Sequence, residues 1–174
     1  AQRMKAAGPQ VVIGGTYFND SVALVRATRQ IGLQPEIMVM TVGPAQEGFG
    51  RQLGDAAEGV MGATSWMRSG KRPLAYDFSF RYKQKYGHNA AAHAAYGYAG
   101  GQVLEAAVRL AGSLDKDAVR EQLQTMTFRS LLGRYHVDET GSQTAKQTYV
   151  MQWQGGYRLL IMPEAIADSA VEYP

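Results

Sequence analysis

Residues 11–20 read VVIGGTYFND, and few other stretches of the chain leave the backbone so little choice. The apolar run at 11–14 suits a buried strand. Gly14 and Gly15 end it, because glycine tolerates a sharp turn and the close approach of another group. Thr16, Tyr17 and Phe18 then form a loop. Asn19 or Asp20 is placed to cap a following helix whose inner face carries Leu24, Ala27, Thr28 and Ile31. The loop thus lies at the C-terminal end of a strand and the N-terminal end of a helix. Open α/β sheets bind ligands at such places, and free backbone amides there favour an anion. Tyr17 and Phe18 either face a ligand or cap the core beneath the loop.

Two more apolar runs follow, at 36–42 (EIMVMTV) and 59–65 (GVMGATS), with Trp66 directly after the second. A weak helix at 45–53, interrupted by Gly48 and Gly50, lies between them. Strands alternating with helices at this spacing predict βαβ units and a parallel sheet. A polar turn at 69–73 (SGKRP) opens a helical block: 74–86, then 91–111, then a third helix from Ser113 or Asp115 to 126. Leu74, Phe78, Tyr82 and Tyr86 form one aromatic-rich stripe of the kind that is usually core. The second helix has an apolar face of Gly100, Val103, Leu104, Ala107, Val108 and Ala111. A short strand at 133–137, a turn at 138–141 (DETG) and a hairpin of 147–154 and 157–162 around Gly155-Gly156 complete the chain. The expected organisation is an α/β segment at 1–68, a helical block at 69–130, and a crossover with a hairpin at 131–174.

Bulk properties narrow the chemistry. The 174 residues, 45% hydrophobic and 19% charged, suffice for a globular domain with a real core. There is no cysteine, which excludes disulfides and zinc fingers. The net charge of +3 is scattered, and its densest run, Arg81, Lys83 and Lys85, reads as a solvated helix face; no nucleic-acid partner is expected. No phosphate-binding or nucleophile-elbow motif occurs. His88, His93 and His136 share metal-ligand spacing with nothing else, so no metal, cofactor or catalytic residue is assigned, and an enzyme is disfavoured. No apolar run approaches the roughly 20 residues of a membrane span. Residues 1–7 read as the middle or end of a helix closed by Gly8-Pro9. A chain that begins this way looks like a fragment, so the lack of a signal peptide says little about location.

Several segments together resemble the periplasmic branched-chain amino acid-binding family, the solute receptors of ABC importers. They are residues 14–33 (GGTYFNDSVALVRATRQIGL), 41–66 (TVGPAQEGFGRQLGDAAEGVMGATSW), 93–115 (HAAYGYAGGQVLEAAVRLAGSLD), 133–141 (GRYHVDETG) and 150–164 (VMQWQGGYRLLIMPE). The resemblance implies an α/β, type I periplasmic-binding fold with two lobes closing on a ligand like a Venus flytrap, seen here as its C-terminal portion. Residues 1–68 would belong to the second lobe, 69–130 to the first, and the hairpin to the second again. The helical block would then expose an apolar face, to be covered by another copy or by the missing N-terminal part.

The same resemblance implies a site. Tyr17 would be the aromatic that closes over the ligand, with Phe18 beside it. The acidic residue that holds a ligand ammonium falls at Thr41, a departure that argues against a standard α-amino acid. His93 would take the place of the first-lobe aromatic and hydrogen-bond a carboxylate or carbonyl. Trp66 would wall the pocket or pack in the hinge. The implied function is extracytoplasmic, periplasmic capture of an amino-acid-like solute, an amide, or an aromatic or other organic acid, for delivery to a membrane permease. A ligand-sensing domain of a signalling receptor is the alternative, and an α/β enzyme acting on a small acid a third.

Overall fold

The computed structural model describes residues 2–68 and 73–173. In chain order these form α1 (Gln2–Ala7), β1 (Val11–Gly14), α2 (Phe18–Gln30), β2 (Ile37–Met40), α3 (Glu47–Leu53) and β3 (Val60–Thr64). After these come α4 (Pro73–Tyr86), α5 (Ala92–Ala111), α6 (Lys116–Thr125), β4 (Phe128–Ser130), β5 (Gly133–Tyr135), β6 (Tyr149–Gln154) and β7 (Tyr157–Met162). The polar turn expected at 69–73 lies, but for its last residue, outside the described residues. The chain divides into two compact units. One is Ala1–Lys71 with Tyr149–Pro174, the other Arg72–Thr148.

The first unit is built on one five-stranded sheet in the order β1-β2-β3-β6-β7. β1, β2 and β3 are parallel, as the alternation of strands and helices predicts. The hairpin β6–β7 joins the same sheet antiparallel to β3, so the sheet is mixed. β6 is thereby interior, and its side chains are almost all buried instead of alternating. The core beneath the sheet gathers Val12, Val25, Met38, Met40, Phe49, Val60, Met151, Trp153 and Leu160. On β1 the alternation is clean: Val12 and Gly14 face in, while Ile13 is 77% exposed.

Helix α2 departs from the reading of its sequence in two ways. It starts at Phe18, with Tyr17 at the N-cap and no side-chain cap bond. Asn19 and Asp20 lie inside the first turn, where the Asp20 carboxylate complements the helix dipole without capping. The Ser21 amide reaches the Tyr17 carbonyl at 2.9 Å, which fixes the earlier start. The buried face is Ser21, Val22, Val25 and Thr28, rotated from the expected one. Polar Ser21 and Thr28 can face inward because each hydroxyl is bonded, Ser21 to Thr16 and Thr28 to the Val25 carbonyl. Gly32, at φ 66°, ends the chain's run out of α2 as expected of a left-handed terminator.

The two glycines that weakened the helix at 45–53 have a packing cause. A Cβ on Gly50 would lie 2.2 Å from the Trp153 ring, and one on Gly48 would lie 3.1 Å from Phe18. Helix propensity is given up so that two aromatic rings can lie against the α3 backbone.

Behind the sheet, two buried glutamines hold the C-terminal tail. Gln152 Nε2 donates to the Gly59 and Glu172 carbonyls at 3.1 and 2.7 Å, and its Oε1 accepts from the Glu172 amide at 2.9 Å. Gln154 Nε2 donates to Gln152 Oε1 and the Ala170 carbonyl, both at 2.7 Å. Asp168 pairs with Leu160 along the outer edge of β7.

In the second unit, α5 and α6 pack with β4 and β5 around Ala107, Val119, Met126, Phe128 and Tyr135. Asp115 caps α6, accepting from the Asp117 and Ala118 amides. β4 was not legible from sequence; it pairs with β5. The α4 stripe is core only at Phe78. Leu74 and Tyr86 are each 53% exposed, and the rings run along the helix as Phe78–Tyr82 at 5.8 Å and Tyr82–Tyr86 at 4.5 Å. Leu104, counted on the apolar face of α5, is also exposed, with Tyr76, Phe80, Tyr98 and Leu110. Exposed apolar side chains in this number are more than a scatter of single residues. The turn after β5 is held by Asp138, whose Oδ1 accepts from Thr140 Oγ1, the Thr140 amide and the Ser142 amide at 2.6, 2.9 and 3.0 Å.

Two outcomes follow. Gly50→Ala should lower stability by about 1–3 kcal/mol, the usual cost of overpacking, read as a lower urea midpoint with unchanged slope. The Thr140 hydroxyl, then the Ser142 amide, hold the Asp138 carboxyl below the usual carboxylate range. The order this gives the turn is therefore complete above the unfolded carboxylate's value and is lost as pH falls through the lower folded one. A carboxyl-carbon NMR titration should place the Asp138 midpoint below that of an unstructured aspartate.

Candidate functional site

Parallel β1, β2 and β3 release their C-terminal ends along one edge of the sheet, with Gly14 opposite Met40 and Met40 opposite Gly62. The segments that follow carry Tyr17 and Phe18, then Thr41, then Trp66. Four of the five expected site residues are thus on one edge of one unit.

Their roles separate. Tyr17 is 75% exposed at the N-cap of α2, with extended backbone at φ −85° and ψ −174°. Phe18, one residue on, packs against the core and over the backbone of Gly48. Of the two fates open to the aromatic pair, Phe18 takes the packing one and Tyr17 stands in solvent. Trp66 is buried, and the Thr64 hydroxyl braces its backbone, donating to the Trp66 carbonyl at 2.7 Å and accepting from its amide at 3.2 Å.

Thr41 is bound to the neighbouring loop. Its hydroxyl donates to the Thr16 carbonyl at 2.9 Å and accepts from the Thr16 amide at 3.1 Å. Its own amide donates to the Gly14 carbonyl at 3.1 Å, and the Val42 amide to the Thr16 carbonyl at 3.3 Å. The next residues are pinned from the hairpin side. Trp153 Nε1 donates to the Pro44 carbonyl at 2.9 Å, and Arg158 donates to the Ala45 carbonyl and meets Glu47 at 3.2 Å. Burial pushes the Arg158 guanidinium down from its ordinary value, and Glu47 partly restores it. Gly43 and Gly62 leave no room for a side chain: a Cβ would lie 2.2 Å from Ser21 Oγ and 2.9 Å from Pro44 Cβ respectively.

His93 belongs to the other unit. It is the second residue of α5, exposed, with its ring 5.7 Å from that of Tyr96. Lys146 Nζ lies 5.6 Å from the same Tyr96 ring. Sequence reasoning missed Lys146, because its proximity to α5 arises from a turn of the chain more than forty residues later and no local pattern marks it. His88 touches Tyr82, and His136 Nδ1 lies 3.4 Å from the Thr127 hydroxyl. Among the described residues no three His, Asp or Glu side chains are grouped to hold a metal ion, and no helix is long and apolar enough to cross a membrane.

A family model described as periplasmic binding protein matches residues 1–157. The chain belongs to that family. A Leu/Ile/Val-binding protein homologue of Brucella suis is 25% identical over 98% of this chain and 45% of its own length. A leucine-binding protein of Thermotoga maritima superposes with a TM-score of 0.79 at 26% identity, over 91% of this chain and 45% of that one. The branched-chain amino acid transporter substrate-binding protein of Streptococcus pneumoniae, solved with isoleucine, gives 0.75 at 18% identity over 95% and 45%, a likeness of fold. The expected type I periplasmic-binding fold is therefore present. The chain spans about half the length of the relatives it matches.

Proposed function

We propose that this chain is part of an extracytoplasmic solute receptor of an ABC importer, capturing a small organic solute by lobe closure and presenting it to a membrane permease. The observation that carries the reading is the exposed Tyr17 at the C-terminal edge of the parallel strands, a position that suits stacking on a ligand. Membership of the periplasmic binding protein family supports the receptor class. The relatives named above are binding proteins, which favours capture over turnover. Closure would work by contacts that exist only in the closed state and so shift a hinge equilibrium.

The ligand class follows from Thr41. The Brucella relative is named for Leu, Ile and Val, and the Streptococcus protein was solved with isoleucine. An α-amino acid brings an ammonium, whose burial costs several kcal/mol unless a carboxylate or a set of acceptors meets it. Position 41, where the family resemblance places that carboxylate, carries a hydroxyl already bonded to Thr16. We therefore assign an amide, or an aromatic or other organic acid, ahead of a standard amino acid. Trp66 and Phe18 would support the site from the core side, and His93, on the other unit, is offered from the family resemblance alone as a donor to a carboxylate or carbonyl. The exposed apolar side chains of α4 and α5 would be covered by the further length that the relatives possess, or by another copy.

The test is a thermal-shift screen of the full-length protein against leucine, isobutyramide and benzoate. A ligand at about 100 times its Kd stabilises by about 2.7 kcal/mol and must raise the Tm. Shifts with isobutyramide or benzoate are expected. A shift with leucine alone would overturn the assignment of ligand class, and none with any small solute would overturn the receptor reading. Tyr17→Ala should weaken the binding of whichever compound shifts by roughly tenfold or more, measured by calorimetry; unchanged affinity would remove Tyr17 from the site.

A further inference from the structure

A threonine hydroxyl has one proton to give and two lone pairs to offer. At Thr41 the proton goes to the Thr16 carbonyl, and one lone pair takes the Thr16 amide. The side chain thus does for Thr16 what a paired strand would do, answering both backbone groups of one residue. The Val42 amide fills the second acceptor position of the Thr16 carbonyl, and the Thr16 hydroxyl lies 2.7 Å from that of fully buried Ser21. Every polar group of Thr16 is therefore held, and Tyr17 is the next residue. Gly43 is part of the same assembly, since any side chain there would displace Ser21.

We infer that Thr41 is a positioning residue, a clasp that fixes the loop after β1 and so holds the Tyr17 backbone in the extended conformation from which its ring stands free. This rests on the reading of Tyr17 as a ligand contact. It also changes what position 41 can be. A carboxylate there could accept from the Thr16 amide but would face the Thr16 carbonyl with no proton to give. One side chain cannot both grip a cation and close the clasp. In this chain position 41 is committed to the loop, and specificity against an ammonium follows from that commitment.

The test compares wild type, Thr41→Val and Thr41→Ser in the full-length protein without ligand, by amide exchange and backbone NMR. In Thr41→Val the Thr16 amide should exchange at least about tenfold faster, the scale of one lost hydrogen bond in a local opening, with the Tyr17 backbone shifts moving from extended toward averaged values. The Val12 and Val60 amides in the sheet should keep their wild-type rates, and Thr41→Ser should restore both readouts. Unchanged Thr16 exchange in Thr41→Val would overturn the clasp. So would equal acceleration at Val12 and Val60, which would make Thr41 a contributor to general stability. Benzoate affinity of Thr41→Val, Tyr17→Ala and the double variant then separates the two readings. Non-additive losses support positioning through Tyr17, and additive losses overturn it. A local Thr16 effect in a protein that binds no small solute would support the clasp and overturn the receptor.

Discussion

The indole of Trp153 is the contact on which the first unit depends. It stands on β6, the antiparallel strand that closes the sheet against β3, and its ring lies against Phe49 at a centroid distance of 6.1 Å and over the bare backbone of Gly50. Its Nε1 reaches the Pro44 carbonyl in the connection after β2. A residue from the last sixth of the chain thus sets the height of a segment that begins at Thr41. Arg158, from the other arm of the hairpin, repeats the arrangement at Ala45 and Glu47. A buried polar group must be answered. Here the answers are the backbone carbonyls of a short 3-10 turn, Gly43–Ala45, so packing of the hairpin and placement of the edge that carries Thr41 are one event.

Much of this was legible in the sequence, and what was missed has common causes. Every strand but β4, the six helices and the turn at Asp138 announce themselves through local rules: apolar runs, glycine terminators, an aspartate cap at Asp115. The start and face of α2 differ from what its sequence suggests because Asn19 and Asp20 obey the capping preference, while a side-chain bond between Thr16 and Ser21, five residues apart, draws a serine inward. The antiparallel pairing of β6 with β3 is non-local and leaves no mark in either segment. The α4 stripe has the spacing of a core face, but spacing cannot tell whether a layer exists to cover it. At the candidate site the strand-end location of Tyr17 could be read. The division of labour between Tyr17 and Phe18 could not, since it turns on a glycine thirty residues away at Gly48. Nor could the engagement of Thr41 with Thr16, which joins the ends of two parallel strands.

The edge at the ends of the parallel strands separates rigidity from exposure. Thr16, Ser21, Thr41 and Gly43 form a closely bonded and packed layer, and Tyr17 projects from it. Preorganising one aromatic ring in this way reduces the entropy lost on association without adding a contact. It would also let the chemistry of the candidate site be altered at exposed positions while the frame beneath is left alone.

The amide ladder of Gln152 and Gln154 bears on how the sheet ends. A terminal strand offers a row of unpaired donors and acceptors to any extended peptide that drifts past. At β7 the tail answers Leu160, whose carbonyl accepts from the Asp168 and Ser169 amides and whose amide donates to the Asp168 carboxylate, and it is stitched to β6 at Ala170 and Glu172. A foreign strand arriving there must first strip the tail away.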